Sequence, residues 1–131
     1  GLSSYIDAKL ESSRRFPNGS KVWANEVIQG APIIQDYLET KLNAWTQSKA
    51  EIIERWIDEG LMDPINPKNL LYFIWSSTQH YADFQHQIRT LNNNSDLSED
   101  QWLEVKEDIK KLVLKGLGVE QRANFKTVYN N

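Results

Sequence analysis

Cysteine is absent from the 131 residues, which excludes disulfides, a thiolate nucleophile and cysteine-ligated zinc. Proline and glycine are sparse, at 4 and 6, so each one reads as punctuation between regular segments. No apolar run approaches the ~20 residues of a membrane span, and the first residues carry no signal-peptide core. No membrane partner is therefore expected, and a cytoplasmic location fits. A basic surplus is also missing. The formal net charge is -3, whereas a stand-alone nucleic-acid binder usually carries excess Lys and Arg to neutralise phosphates.

Catalytic signatures are equally scarce. There is no Gly-rich phosphate loop, no H-E-x-x-H, no Glu-x-x-His and no Ser in a nucleophile-elbow context. His80 and His86 are the only histidines. Their separation places them ~240° apart around a helix, so they cannot share a metal from one face. Hydrogen-bonded or solvated imidazoles are the plain reading. His80, Asp83 and Glu26 are the only candidates for a perturbed catalytic cluster, and no enzyme, metal or cofactor is expected.

What the chain does contain is apolar residues at 40%, charged residues at 25% and five Trp, enough for a packed core with large aromatic anchors. The pattern is helical throughout, which predicts an all-α antiparallel bundle of about five helices. The first spans Leu2 to about Arg15 and stops at Phe16-Pro17-Asn18-Gly19, a turn signal. A second, capped by Ser20, runs through Gln29, with Gly30 as its left-handed stop. The third reaches from about Ala31 to Glu59 with Pro32 in its first turn, an apolar stripe including Leu38, Leu42, Trp45, Ile53 and Trp56, and a stop at Gly60. Asn66 then caps a fourth, about Pro67 to Leu91. Asn92 to Asp96 reads as a loop, and Ser98-Glu99-Asp100-Gln101 as a capping box for a fifth helix ending at Gly116 and Gly118. Glu107 and Lys111 are spaced for an i,i+4 pair on its wet side. Residues 1–119 form the expected domain and 120–131 a polar tail. A chain that opens with Gly1 and runs at once into a helix reads as a fragment.

The fourth helix is the most informative. Its apolar residues cover about half its circumference at ~100° per residue, wider than burial against one neighbour requires. A contact between two copies explains the excess, with Phe73, His80, Tyr81 and Phe84 on this helix and Trp102, Ile109, Leu112 and Val113 on the next as the candidate homodimer interface. Trp75 and Gln79, four apart, line up one turn above the other. An indole face with a neighbouring amide suits a flat ring whose edge carries donors and acceptors. The alternative places Trp75 in the core and Gln79 on the surface. Trp23 and Glu26 on the second helix carry the same two readings.

The run Ile65-Asn66-Pro67-Lys68-Asn69-Leu70, followed by Phe73-Ile74-Trp75-Ser76-Ser77-Thr78-Gln79-His80-Tyr81-Ala82-Asp83-Phe84, resembles the C-terminal domain of TetR-type regulators related to the bacterial pyrimidine-utilisation repressor. Phe16-Pro17, the stretch Glu26 to Pro32, and Ile57 to Leu61 are similar to the same family. The resemblance covers roughly Tyr5 to Gly118. It implies a body that senses a small molecule, uracil or thymine for this branch, and dimerises through its last two long helices in an intersubunit four-helix bundle. It also implies an N-terminal helix-turn-helix head, absent from these residues, that reads operator DNA. No direct DNA binding by this chain is then expected. A dimerisation module with a filled core and no ligand is the rival expectation; a pocket of a few hundred Å³ beside Trp75 separates the two.

Overall fold

A computed structural model of the chain describes residues Gly1–Val119; the tail expected at 120–131 lies outside the described residues. The described fold is all-α, with no strand among these residues. Helix α1 is Leu2–Arg15, α2 Pro17–Ile28 and α3 Gln35–Tyr37. A π-helical segment, Leu38–Leu42, joins α3 to α4, Asn43–Asp58. Then come α5, Pro67–Asp83, α6, Gln85–Leu91, and α7, Glu99–Gly116.

The turn expected at Phe16 to Gly19 shrinks to Phe16 alone, and α2 begins at Pro17 rather than Ser20. Proline supplies the helical φ and lacks the N–H that a first-turn residue would leave unpaired, so Pro17 starts the helix and Asn18 and Gly19 continue it. Ser20, freed from capping, donates its hydroxyl to Asp83 Oδ1 at 2.6 Å. The third helix starts late as well. Gly30 and Ala31 both take positive φ, +88° and +55°, and the chain turns through Pro32 before α3 begins at Gln35. The long rod from 35 to 58 is interrupted by the π segment, a wider turn whose irregular spacing period-based reading does not register.

Other punctuation falls where the sequence places it. Gly60 ends the rod at φ +74°, with Leu61 N–H bonded back to the Trp56 carbonyl at 2.9 Å, a left-handed helix stop. Asn66 accepts from Asn69 N–H at 3.1 Å and Pro67 opens α5. Ser98 and Gln101 exchange both capping-box bonds. The helix expected to run unbroken to Leu91 breaks instead at Phe84, whose φ of -112° and ψ of 31° leave the helical well.

Helix α5 is the hub, packed against α1, α2 and α4. It buries Leu70, Leu71, Ile74, Thr78 and Ala82, each large apolar side chain being worth roughly 1.5–3 kcal/mol on full burial. Ile6 and Leu10 of α1, Ile53 of α4, Met62, and Trp102, Ile109, Val113 and Leu117 complete the core. A buried hydrogen bond crosses it, from Ser13 Oγ to the Thr78 carbonyl at 2.9 Å. Helix α7 is clamped to α1 by Lys106–Glu11 and Lys110–Asp7, both at 3.1 Å, and by Arg14 with Glu99. Glu107 pairs with Lys110 at 3.5 Å rather than with the expected Lys111. No helix among the described residues is long and apolar enough to cross a membrane.

Candidate functional site: an aromatic cleft beside α5

A cleft of about 1290 Å³ opens between α1, α2, the rod and α5. It exceeds the ~300–1,000 Å³ of common small-molecule sites, and its α2 rim is open to solvent, with Ile28 80% exposed. Trp23 and Val27 come from α2, Tyr5, Lys9 and Ser13 from α1, and Tyr37, Leu42 and Trp45 from the rod; Trp75 and Gln79 come from α5. Rings of Tyr5, Phe16, Trp23, Tyr37, Trp45 and Trp75 stand on its wall. Trp45 lies 6.0 Å from Tyr5 and 6.2 Å from Trp75, ring centre to ring centre. Across the cleft, Trp23 meets Tyr37 edge to face at 5.8 Å.

Of the four residues predicted as ligand-binding, three meet in this cleft: Trp75, Gln79 and Trp23. The fourth does not. The Glu26 carboxylate accepts from the N–H groups of Ile33 and Ile34, at 2.5 and 3.0 Å. It satisfies amides that the turn before α3 leaves without helical partners, so its role is structural. Among the wall residues not predicted as ligand-binding from the sequence are Tyr5, Lys9, Tyr37 and Trp45. Tyr5 and Lys9 are one turn apart on α1, and only the approach of α1 to α5 distinguishes them from ordinary surface positions.

The polar chemistry of the wall is specific. The Trp75 indole N–H donates to the Tyr5 hydroxyl at 2.7 Å. The indole N–H is thereby satisfied, and the phenolic hydrogen remains free to donate. Burial pushes the Tyr5 phenol above its ordinary range, and the bond from Trp75 opposes this in part. Burial also holds the Lys9 amine below the usual lysine range, with the charge of Asp83 pulling the other way. A second hollow, about 530 Å³ between Leu2, Trp56, Met62, Lys111 and Leu114, has no pair of facing aromatic rings.

The residues predicted for a homodimer interface divide in two. Trp102 is 9% exposed, and Ile109 and Val113 are buried in the chain's own core. Trp102 is held there by Tyr81, ring centres 5.8 Å apart, and by the Arg14 guanidinium at 5.7 Å. These three face α1, so they are not available to a partner, and Tyr81 is half-buried beside them. Phe73, His80, Phe84 and Leu112 are exposed. On α5, Phe73 and His80 are seven residues apart and so lie within about 20° of one line, and Phe84 follows at the helix's C-terminal cap. His80 and Phe84 stack with ring centres 4.8 Å apart.

Comparison with known proteins agrees with this architecture. The family described as YcdC-like protein, C-terminal region, matches residues 1–120. The HTH-type transcriptional regulator RutR of Escherichia coli (strain K12) is 34% identical over 116 residues, covering 88% of this chain and 55% of the relative. RutR of Shigella flexneri matches to the same extent, and RutR of Escherichia coli O157:H7 is 33% identical over 116 residues. The chain thus spans about half the length of the curated relatives it matches.

Proposed function

Because this chain belongs to the YcdC-like C-terminal-region family of TetR-type regulators, we propose that residues 1–119 are the effector-binding and dimerisation body of an HTH-type transcriptional regulator. The observation that carries this reading is the cleft beside Trp75. Its volume and its facing aromatic walls supply stacking surface for a flat ring, and the Gln79 amide offers both a donor and an acceptor to that ring's edge. A filled core at this place would have favoured a dimerisation module without a ligand; the open cleft weighs against it.

The partner chemistry follows the same line. A planar pyrimidine such as uracil or thymine stacks on Trp75 and addresses Gln79. A second copy of the chain covers the exposed line Phe73, His80 and Phe84 together with Leu112 in an intersubunit helical bundle. A closed two-fold dimer suits heads that must address two operator half-sites. The effector acts by binding one dimer arrangement better than the other, and its influence on DNA binding is limited to that difference in affinity.

Tryptophan fluorescence tests the reading directly. Titration with uracil and thymine should give saturable quenching that Trp75→Phe and Gln79→Ala weaken by about tenfold or more while the dimer persists, the loss of roughly one good ring or hydrogen-bond contact. Failure of flat heterocycles to perturb any of the tryptophans would sink it.

A further inference from the structure

The charge of the cleft is as one-sided as its shape. Among the described residues that line it, the only ionic side chains are Lys9 and Lys41, and no carboxylate stands on the wall. Lys9 is half-buried on α1, one turn from Tyr5 on the same face. Among the described residues its ammonium makes no ion pair within 4 Å; Asp83 attracts it only through space. That carboxylate is itself engaged by the Ser20 hydroxyl at 2.6 Å. A partly desolvated ammonium without a close counter-charge is costly, and a bound anion would remove the cost. Beside it, the Tyr5 hydroxyl accepts from the Trp75 indole N–H at 2.7 Å and keeps its own hydrogen for an acceptor. Two donors therefore stand one turn apart at the edge of the ring-stacking surface, with no carboxylate among the residues that line it.

We propose that the cleft selects planar rings that carry a carboxylate, with Lys9 as its counter-ion and the Tyr5 hydroxyl as a second donor. Lys41, on the π-helical segment at the rim, adds a second positive charge that favours approach of an anion. This rests on the cleft being the effector site and goes beyond it by naming the charge of the ligand.

The test compares uracil with 6-carboxyuracil, which shares the ring and adds only the carboxylate, in fluorescence or calorimetric titrations of the 131-residue chain. The carboxylated ring should bind roughly tenfold or more tightly, the scale of one charge-assisted hydrogen bond. Lys9→Met, which keeps the apolar stem, should erase that preference, and Lys9→Arg should retain it. Equal or tighter binding of uracil overturns the charge selection and leaves ring sensing standing. A preference that survives in Lys9→Met, with helicity intact by circular dichroism, assigns the anion to other groups and overturns the role of Lys9. Saturation by neither ring overturns both readings.

Discussion

At the scale of single residues, the pairing of Tyr5 with Trp75 organises the cleft. One hydrogen bond spans two helices 70 residues apart in the chain, fixes the plane of the indole and frees a phenolic hydrogen. Tyr5→Phe removes the acceptor of a half-buried indole N–H. It should lower stability by about 1 kcal/mol, as expected for a single lost hydrogen bond, measured by urea denaturation. The same variant should leave the fluorescence of Trp23 unchanged, since that ring contacts Tyr37 and not Tyr5. Glu26 makes the complementary case. Its identity and position on α2 are compatible with a pocket carboxylate, but two backbone amides claim it first, because an unpaired N–H at the start of a helix is costlier than a solvated acid.

At the scale of elements, caps and stops explain most boundaries. The capping box of α7 is complete, and α7 carries three residues of the core, Trp102, Ile109 and Val113. Ser98→Ala should therefore cost about 0.5–2 kcal/mol of global stability, read from the same denaturation curves. The α1–α7 clamp adds a pH dependence. The Lys106 hydrogen bond, helped by Arg15, holds the Glu11 carboxyl below its usual range. A depressed carboxylate contributes stability above the unfolded-state value of about 4.3 and loses it as pH falls through the folded-state value. Wild type should accordingly lose slightly more stability than Glu11→Gln between pH 6 and pH 3. The side chain is about one-third exposed, so the difference should stay within roughly 1 kcal/mol. An identical loss in both proteins would show that the Glu11 pair contributes nothing.

At the scale of the whole molecule, the wide apolar face of α5 is only partly covered by the chain itself. Leu70, Leu71, Ile74 and Ala82 belong to the chain's own core, while Phe73, at 51% exposed, and Phe84, at 54%, remain outside it. Adding charge to that outer line separates the two. In the proposed dimer, Phe84→Glu should shift the equilibrium to monomer in analytical ultracentrifugation while the helical circular dichroism persists, since a carboxylate desolvated in an interface is strongly unfavourable. Ile74→Ala, by contrast, opens a cavity at the hub and should cost about 2–5 kcal/mol in the folding equilibrium. A dimer that survives Phe84→Glu would move the interface elsewhere.

The all-α class, the caps at Asn66 and Ser98, the stop at Gly60 and the family resemblance in the α5 run were legible in the residues themselves, because each rests on local backbone chemistry or on a contiguous motif. So was the alignment of Trp75 with Gln79, a consequence of helical period alone. Periodicity also showed that α5 was apolar on too many sides, but not which neighbour covered which side. Only the tertiary structure turned Trp102, Ile109 and Val113 inward, broke the helix at Phe84, engaged Glu26 with the turn before α3 and brought Tyr5, Lys9 and Trp45 to the wall shared with Trp75. Those outcomes depend on contacts between helices far apart in sequence, where the packing of one helix against another decides whether a side chain meets solvent, core or cleft.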